Sequence, residues 1–153
     1  MSFNDCMENK LSQRLAEIIK ALPLDDGIRI LEIGCGPGAA AREIVKHIGR
    51  GHILAIDRSP KAIQQAVNGS KKEIASGRLS FRQVSVEDFE LEKGEQAYDI
   101  ALAIRVGVLD GRHPKTAELA LTKIAKALTT EGKLFIDGGN PLKEISLDRY
   151  RIE

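Results

Sequence analysis

The sequence predicts an α/β fold, a doubly wound and mostly parallel sheet with helices on both faces, and three observations carry that expectation. Short β-branched runs such as IRILEI (28–33) and HILAID (52–57) alternate with segments whose apolar residues recur at helical spacing, the pattern of strand–helix–strand units. Three glycines, Gly34, Gly36 and Gly38, separate the first run from the helical segment after it. Asp57 ends the second run about 20 residues further on, where an acidic side chain in such a sheet meets a ligand held at the first turn.

The elements follow in order. Leu11, Leu15, Ile18, Ile19 and Leu22 share one helical face and stop at Pro23, which predicts a leading amphipathic helix covering a sheet. The run at 28–33 is the first strand. Pro37 to Ile48 places Ala40, Ala41, Ile44, Val45 and Ile48 on one face of a crossover helix. The run at 52–57 is the second strand, and Ser59-Pro60 then opens a helix as an N-cap followed by proline, continuing to about Ser76. LSFRQVSV (79–86) and YDIALAIRV (98–106) read as third and fourth strands, with the acidic stretch from Glu87 to Gln96 between them as a loop. PKTAELALTKIAKAL (114–128) is a helix, and KLFIDGG (133–139) is a fifth strand after a Glu131-Gly132 turn. The tail NPLKEISLDRYRIE is a further turn or a fragment of strand. One domain is expected over 1–153: a leading helix at 1–24, an α/β core at 25–139 and a tail at 140–153.

Composition narrows the partners. A chain of 153 residues, 42% hydrophobic, suffices for one core and is short for two. Lys+Arg 23 against Asp+Glu 22 leaves a net charge of +1, so bulk electrostatics give no reason to expect nucleic acid or an anionic membrane. Cys6 and Cys35 lack metal-ligand spacing, and His47 and His52 have no spaced partner, which indicates a reducing compartment and no metal site. The opening MSFNDCMENK has neither the basic nor the apolar region of a signal peptide, and no apolar run reaches membrane-spanning length. A cytoplasmic protein is expected.

Glycines at the first turn let the backbone bend sharply and approach a ligand, although tight turns need glycine for conformational reasons alone. A carboxylate at Asp57 can accept hydrogen bonds from both hydroxyls of a ribose, so an adenine nucleoside is the expected ligand. Two cofactor classes differ in charge there. A dinucleotide sets an anionic pyrophosphate over the helix N-terminus, whereas S-adenosylmethionine sets a sulfonium and an amino acid tail. Glu32, two residues before Gly34, would attract a unit positive charge at about 5.5 Å by roughly 3 kcal/mol at an effective dielectric of about 20. Pro37 removes one N–H that a phosphate would use. Gly34-x-Gly36-x-x-Ala39 nevertheless satisfies the looser dinucleotide pattern, and Arg58 could meet a 2′-phosphate.

LEIGCGPG (31–38) followed by AIDRSPKAI (55–63) resembles the glycine loop and ribose-binding strand end of the class I S-adenosylmethionine-dependent methyltransferase family. YDIALAIRV and TTEGKLFIDGG are similar to that family's fourth strand and the turn into its fifth, so the resemblance runs from about Leu11 to Gly138. It implies a Rossmann-like sheet. It also implies that Glu32 and the backbone of Gly34, Cys35, Gly36, Pro37 and Gly38 lie along the methionine part, that Asp57 binds ribose, and that Arg58 flanks the adenine. The family commonly has an acidic and then a small residue after the third strand, where this chain has Ser85-Val86. The family's sheet also usually continues with a helix and an antiparallel hairpin, while some 14 residues follow Gly139. The expectation is a sheet truncated after about five strands, either as a minimal form or as a homodimer whose second subunit covers the open fifth strand.

Displacement at a sulfonium requires alignment and exclusion of water more than any fixed catalytic residue. The loop RVGVLDGRHP (105–114) faces that reaction. Asp110 or His113 could take a proton from an oxygen or nitrogen acceptor, and Arg105 or Arg112 could hold an anionic one, with Arg105 also expected beside the cofactor. Asp110-Gly111 is equally an ordinary turn pair, and His113-Pro114 an ordinary helix start. Cys35, a small residue between glycines, is explained by space. The Asn-Pro-Pro-Tyr signature of enzymes that methylate amino groups of nucleic acids is absent, and only 4% of residues are aromatic, so a small-molecule acceptor is expected. Two rival readings stand beside this one: a non-catalytic binder of the same cofactor, acting as subunit or sensor, and an NAD(P)-dependent oxidoreductase.

Overall fold

The computed structural model describes residues 11–109 and 113–151. Six strands form one sheet in the order β3-β2-β1-β4-β5-β6. Strands β1 (Arg29–Ile33), β2 (His52–Asp57), β3 (Leu79–Gln83), β4 (Tyr98–Ala103) and β5 (Leu128–Asp137) are parallel, and β6 (Leu142–Ile145) runs antiparallel to β5. Helices α1 (Gln13–Ala21), α2 (Ala39–Val45), α3 (Pro60–Asn68), α4 (Lys71–Ala75) and α5 (Pro114–Ala127) complete the described elements with three short 3₁₀ turns.

The central strands are buried on both faces, and their two-residue alternation builds two cores. Ile30, Ile53, Ala55, Ile100 and Leu102 face one way, against Ile18 and Ile19 of α1 and Ala41 and Ile44 of α2. Leu31, Ile33, Leu54, Ile56, Ala101 and Ala103 face the other, against Ala120, Ile124 and Ala127 of α5. Small alanines on the helices let them lie close to branched strand residues. The fold class is that expected from the sequence, and the first two strands and the α5 helix fall within a residue of expectation.

Several boundaries move for identifiable reasons. The helix expected from Ser59 to Ser76 divides at Gly69-Ser70, where fully buried Ser70 accepts a hydrogen bond from Arg42 at 3.0 Å. The first crossover helix begins at Ala39 instead of Pro37, after Gly38 in the left-handed region. The third strand ends at Gln83, and Ser85-Val86 enters a 3₁₀ turn, Val86–Asp88. The fourth ends at Ala103, before Arg105 turns with φ +56°. The fifth starts at Leu128, where the helix stops, and its ladder skips from Leu128 to Lys133 opposite Tyr98 and Ile100. The Glu131-Gly132 turn is thus a bulge inside β5.

The tail supplies the largest difference. The sheet does not stop after five strands, because Leu142–Ile145 pairs with Leu134–Asp137 across a Gly138–Pro141 turn containing a cis Asn140–Pro141 bond. β5 therefore has its outer edge occupied within the chain, and the ground for expecting a second subunit there is removed. No helix of the described residues is long and apolar enough to cross a membrane.

Candidate cofactor site

Strand order reverses between β1 and β4, and the site is built at the carboxyl ends of those strands and of β2, as the switch-point rule requires. Glu32 pairs with Ala55 of β2 and Leu102 of β4, and shares the α1/α2 face with Ile30. It is only 4% exposed, and its Oε1 has no hydrogen-bond partner among the described residues. Burial, and then the neighbouring Asp57 carboxylate, push the Glu32 carboxyl up to about 8 against the opposing pull of Arg42. The sequence reading takes the carboxylate as charged and near the mouth of the site; the structure buries it beneath, where loss of water favours its protonated form.

An unpaired buried carboxyl oxygen costs about 1–3 kcal/mol, and Glu32 lines a cavity of about 190 Å³. Cys35, Pro37, Ala39 and Ala40 line it from the glycine turn, Arg14, Leu15 and Ile18 from α1, and Ile104 and Arg105 from the end of β4. Burial raises the Cys35 thiol to about 12, with Glu32 and Asp57 adding to the effect, so this thiol is no nucleophile at neutral pH.

The turn itself directs its amides inward. Gly34 and Cys35 donate to the Ile56 carbonyl at 2.9 and 3.0 Å, Gly36 donates to Asp57 Oδ2 at 2.9 Å, and Gly38 donates to the Cys35 carbonyl at 3.1 Å. Pro37 has no N–H. A pyrophosphate cradle needs several such donors, and here they are engaged already. Gly34 is needed twice over: its φ is +71°, and a Cβ there would lie 2.9 Å from Val106 Cγ2.

Asp57 Oδ1 accepts the Ser59 N–H at 2.9 Å while Oδ2 accepts that of Gly36. One side chain thus locks the glycine turn to the start of α3, and each oxygen keeps a lone pair for another donor. Asp57, Arg58, Val84, Ser85 and Val86 line one part of a second cleft of about 560 Å³, which Gly34, Arg105, Val106, His113 and Thr116 complete. Gly34 and Arg105 belong to both cavities.

Of the residues singled out in the sequence, Glu32, Gly34, Cys35, Pro37 and Arg105 gather at the smaller cavity. Gly34, Asp57, Arg58, Ser85, Val86, Arg105 and His113 gather at the larger. Gly36 and Gly38 line neither and act by shaping the turn. Asp110 and Arg112 lie outside the described residues. Sequence reasoning missed α1 as a cavity wall, along with Val84, Val106 and Thr116. For α1 a signal existed, since the cation Arg14 stands one helical turn before buried Ile18, on the stripe where an apolar residue is expected.

Fold and site together define a doubly wound α/β domain with a buried, unpaired carboxyl and a glycine turn at its switch point. Residues 24–149 match the family described as a methyltransferase domain, and the chain belongs to that family. A ubiquinone biosynthesis O-methyltransferase of Rhizobium etli is 34% identical over 117 residues, 76% of this chain and 42% of that protein. A sterol 24-C-methyltransferase of Gibberella zeae is 29% identical over 109 residues, 71% of this chain and 27% of that one. The chain thus spans less than half the length of these relatives. Among solved structures, an S-adenosylmethionine-dependent methyltransferase from Thiobacillus denitrificans in complex with S-adenosylhomocysteine has a TM-score of 0.64 at 20% identity, over 84% of this chain and 48% of that one.

Proposed function

We propose that this chain binds S-adenosylmethionine and moves its methyl group to a small-molecule acceptor. The observation that carries the reading is the buried, unpaired Glu32 carboxyl beside a glycine turn whose amides point inward. Glu32 would hold the cationic methionyl end, Asp57 the ribose hydroxyls, and Arg58, Ser85 and Val86 would flank the adenine. Bound there, the cofactor supplies an electrophilic methyl on a sulfonium leaving group.

The chain's own task is alignment and exclusion of water. Leu15, Ile18 and Ile104 give the smaller cavity apolar walls. Arg105 stands between the cavities to meet an anionic acceptor, and His113, exposed at the start of α5, can take a proton from an oxygen or nitrogen nucleophile. Asp110 and Arg112 belong to the same loop in sequence. A cytoplasmic location, a single domain and an acceptor other than nucleic acid belong to the same proposal.

Equilibrium titration tests it. S-adenosylhomocysteine should saturate one site, NAD⁺ should not bind, and Asp57→Ala should weaken the former about 10- to 100-fold, the loss of a charge-assisted hydrogen-bond acceptor. Saturable NAD⁺ binding at this site would overturn the reading.

A further inference from the structure

Asp137, the last residue of β5, joins two walls of the smaller cavity. Its Oδ1 accepts the Arg105 N–H at 3.1 Å, and its Oδ2 meets the Arg14 guanidinium at 3.2 Å. Arg105 is the one non-glycine residue with positive φ among the described residues, at +56°. Such a conformation persists in an L residue only where its surroundings impose it, and the Asp137 carboxylate supplies that constraint by accepting the Arg105 N–H.

The place matters more than the strength. Arg14 is 56% and Asp137 20% exposed in their side chains, and an ion pair so hydrated adds little to stability. Arg14 nevertheless stands on α1, whose Leu15 and Ile18 line the cavity that holds Glu32, while Arg105 lines that cavity, the larger cleft and a third of about 340 Å³ that includes Asp137 itself. A single carboxylate therefore connects the helix on one side of the cavity to the strained turn on the other. Only a carboxylate serves both donors, because an amide would set its NH₂ against one of them.

Resting on the function proposed above, we infer that Asp137 is a positioning residue of the cofactor site: it holds the Arg105 backbone in its left-handed turn and, through Arg14, draws α1 against the cavity. Its effect on binding runs through those two residues.

The experiment is a titration of the full chain with S-adenosylhomocysteine, with thermal melting in parallel, for the wild type, Asp137→Ala, Arg14→Gln, Arg105→Gly and the Asp137→Ala/Arg105→Gly pair. Asp137→Ala should weaken binding about tenfold, and Arg14→Gln by a smaller factor. Glycine adopts positive φ without support. In the Arg105→Gly background, Asp137→Ala should therefore cost no more than Arg14→Gln costs alone, the non-additivity expected of residues acting through one another. Equal losses in both backgrounds, or unchanged affinity in Asp137→Ala, would overturn the inference. If Asp137→Ala does not melt cooperatively, Asp137→Val, which likewise removes both acceptor oxygens, takes its place in the cycle, with the same criteria. A wild-type chain that fails to bind overturns this inference together with the function; a wild type that binds beside an unaffected Asp137→Ala overturns this inference alone.

Discussion

Glu32 occupies a strand position where both neighbours across the sheet, Ala55 and Leu102, are apolar and buried. Its carboxyl is raised from an ordinary 4.5 to about 8, so the folded chain keeps a proton that the unfolded chain gives up. Between those two pH values the native state binds more protons, and stability must fall as pH rises, by up to roughly 1.4 kcal/mol per pH unit. Urea unfolding from about pH 5.5 to about pH 7.5 should show that decline in the wild type, and Glu32→Gln should flatten it. Parallel slopes for the two proteins would refute the burial argument. Gly34 makes a second residue-scale case. Alanine there meets both a φ of +71° and Val106 Cγ2 at 2.9 Å, and should cost about 1–3 kcal/mol in thermal melting. Of these two features the sequence showed the glycine and the acid but not the burial. Whether a strand-end carboxyl is dry depends on α1 lying over it, a tertiary fact with no local signature.

Elements were legible where one period dominated. The α1 helix announced itself through its apolar stripe, and its start is fixed by Ser12 Oγ accepting the Leu15 N–H at 3.1 Å. The first two strands were legible because glycines or turn residues bound them on both sides. The passage from α5 to β5 was not, because Leu128 enters the ladder opposite Tyr98 directly and Thr129–Gly132 then bulges out. A bulge is decided by tertiary and cross-strand packing, and here the Asp99 carbonyl of β4 and the Leu128 side chain of β5 itself would lie 3.2 and 2.7 Å from a Cβ on Gly132. The Arg151 guanidinium binds the carbonyls of Thr130 and Gly132 from outside. Gly132→Ala should therefore loosen both the bulge and the C-terminal contact, lowering the urea midpoint by the equivalent of about 1–3 kcal/mol. An unchanged midpoint would show that the bulge tolerates a side chain.

At the scale of the whole molecule, the sequence disclosed the alternation and so the sheet, the crossover helices and the location of the site at the switch point. It leaves the tail as a turn or a fragment of strand, since LKEI is short and half polar, and pairing with Leu134–Asp137 is what makes it β6. The same tertiary logic unites the site: Glu32, Asp57, Arg105 and Asp137 come from four strand ends, and the sheet order brings them to one rim. The proposed function requires that rim to present a buried acid to a cation. Calorimetric titration with S-adenosylmethionine at about pH 7, in two buffers of different ionisation enthalpy, tests this most directly. Wild type should release close to one proton on binding as Glu32 ionises beside the ligand's positive charge, while Glu32→Gln should release none and bind at least about tenfold more weakly. Binding without proton release, or tighter binding by Glu32→Gln, would contradict it.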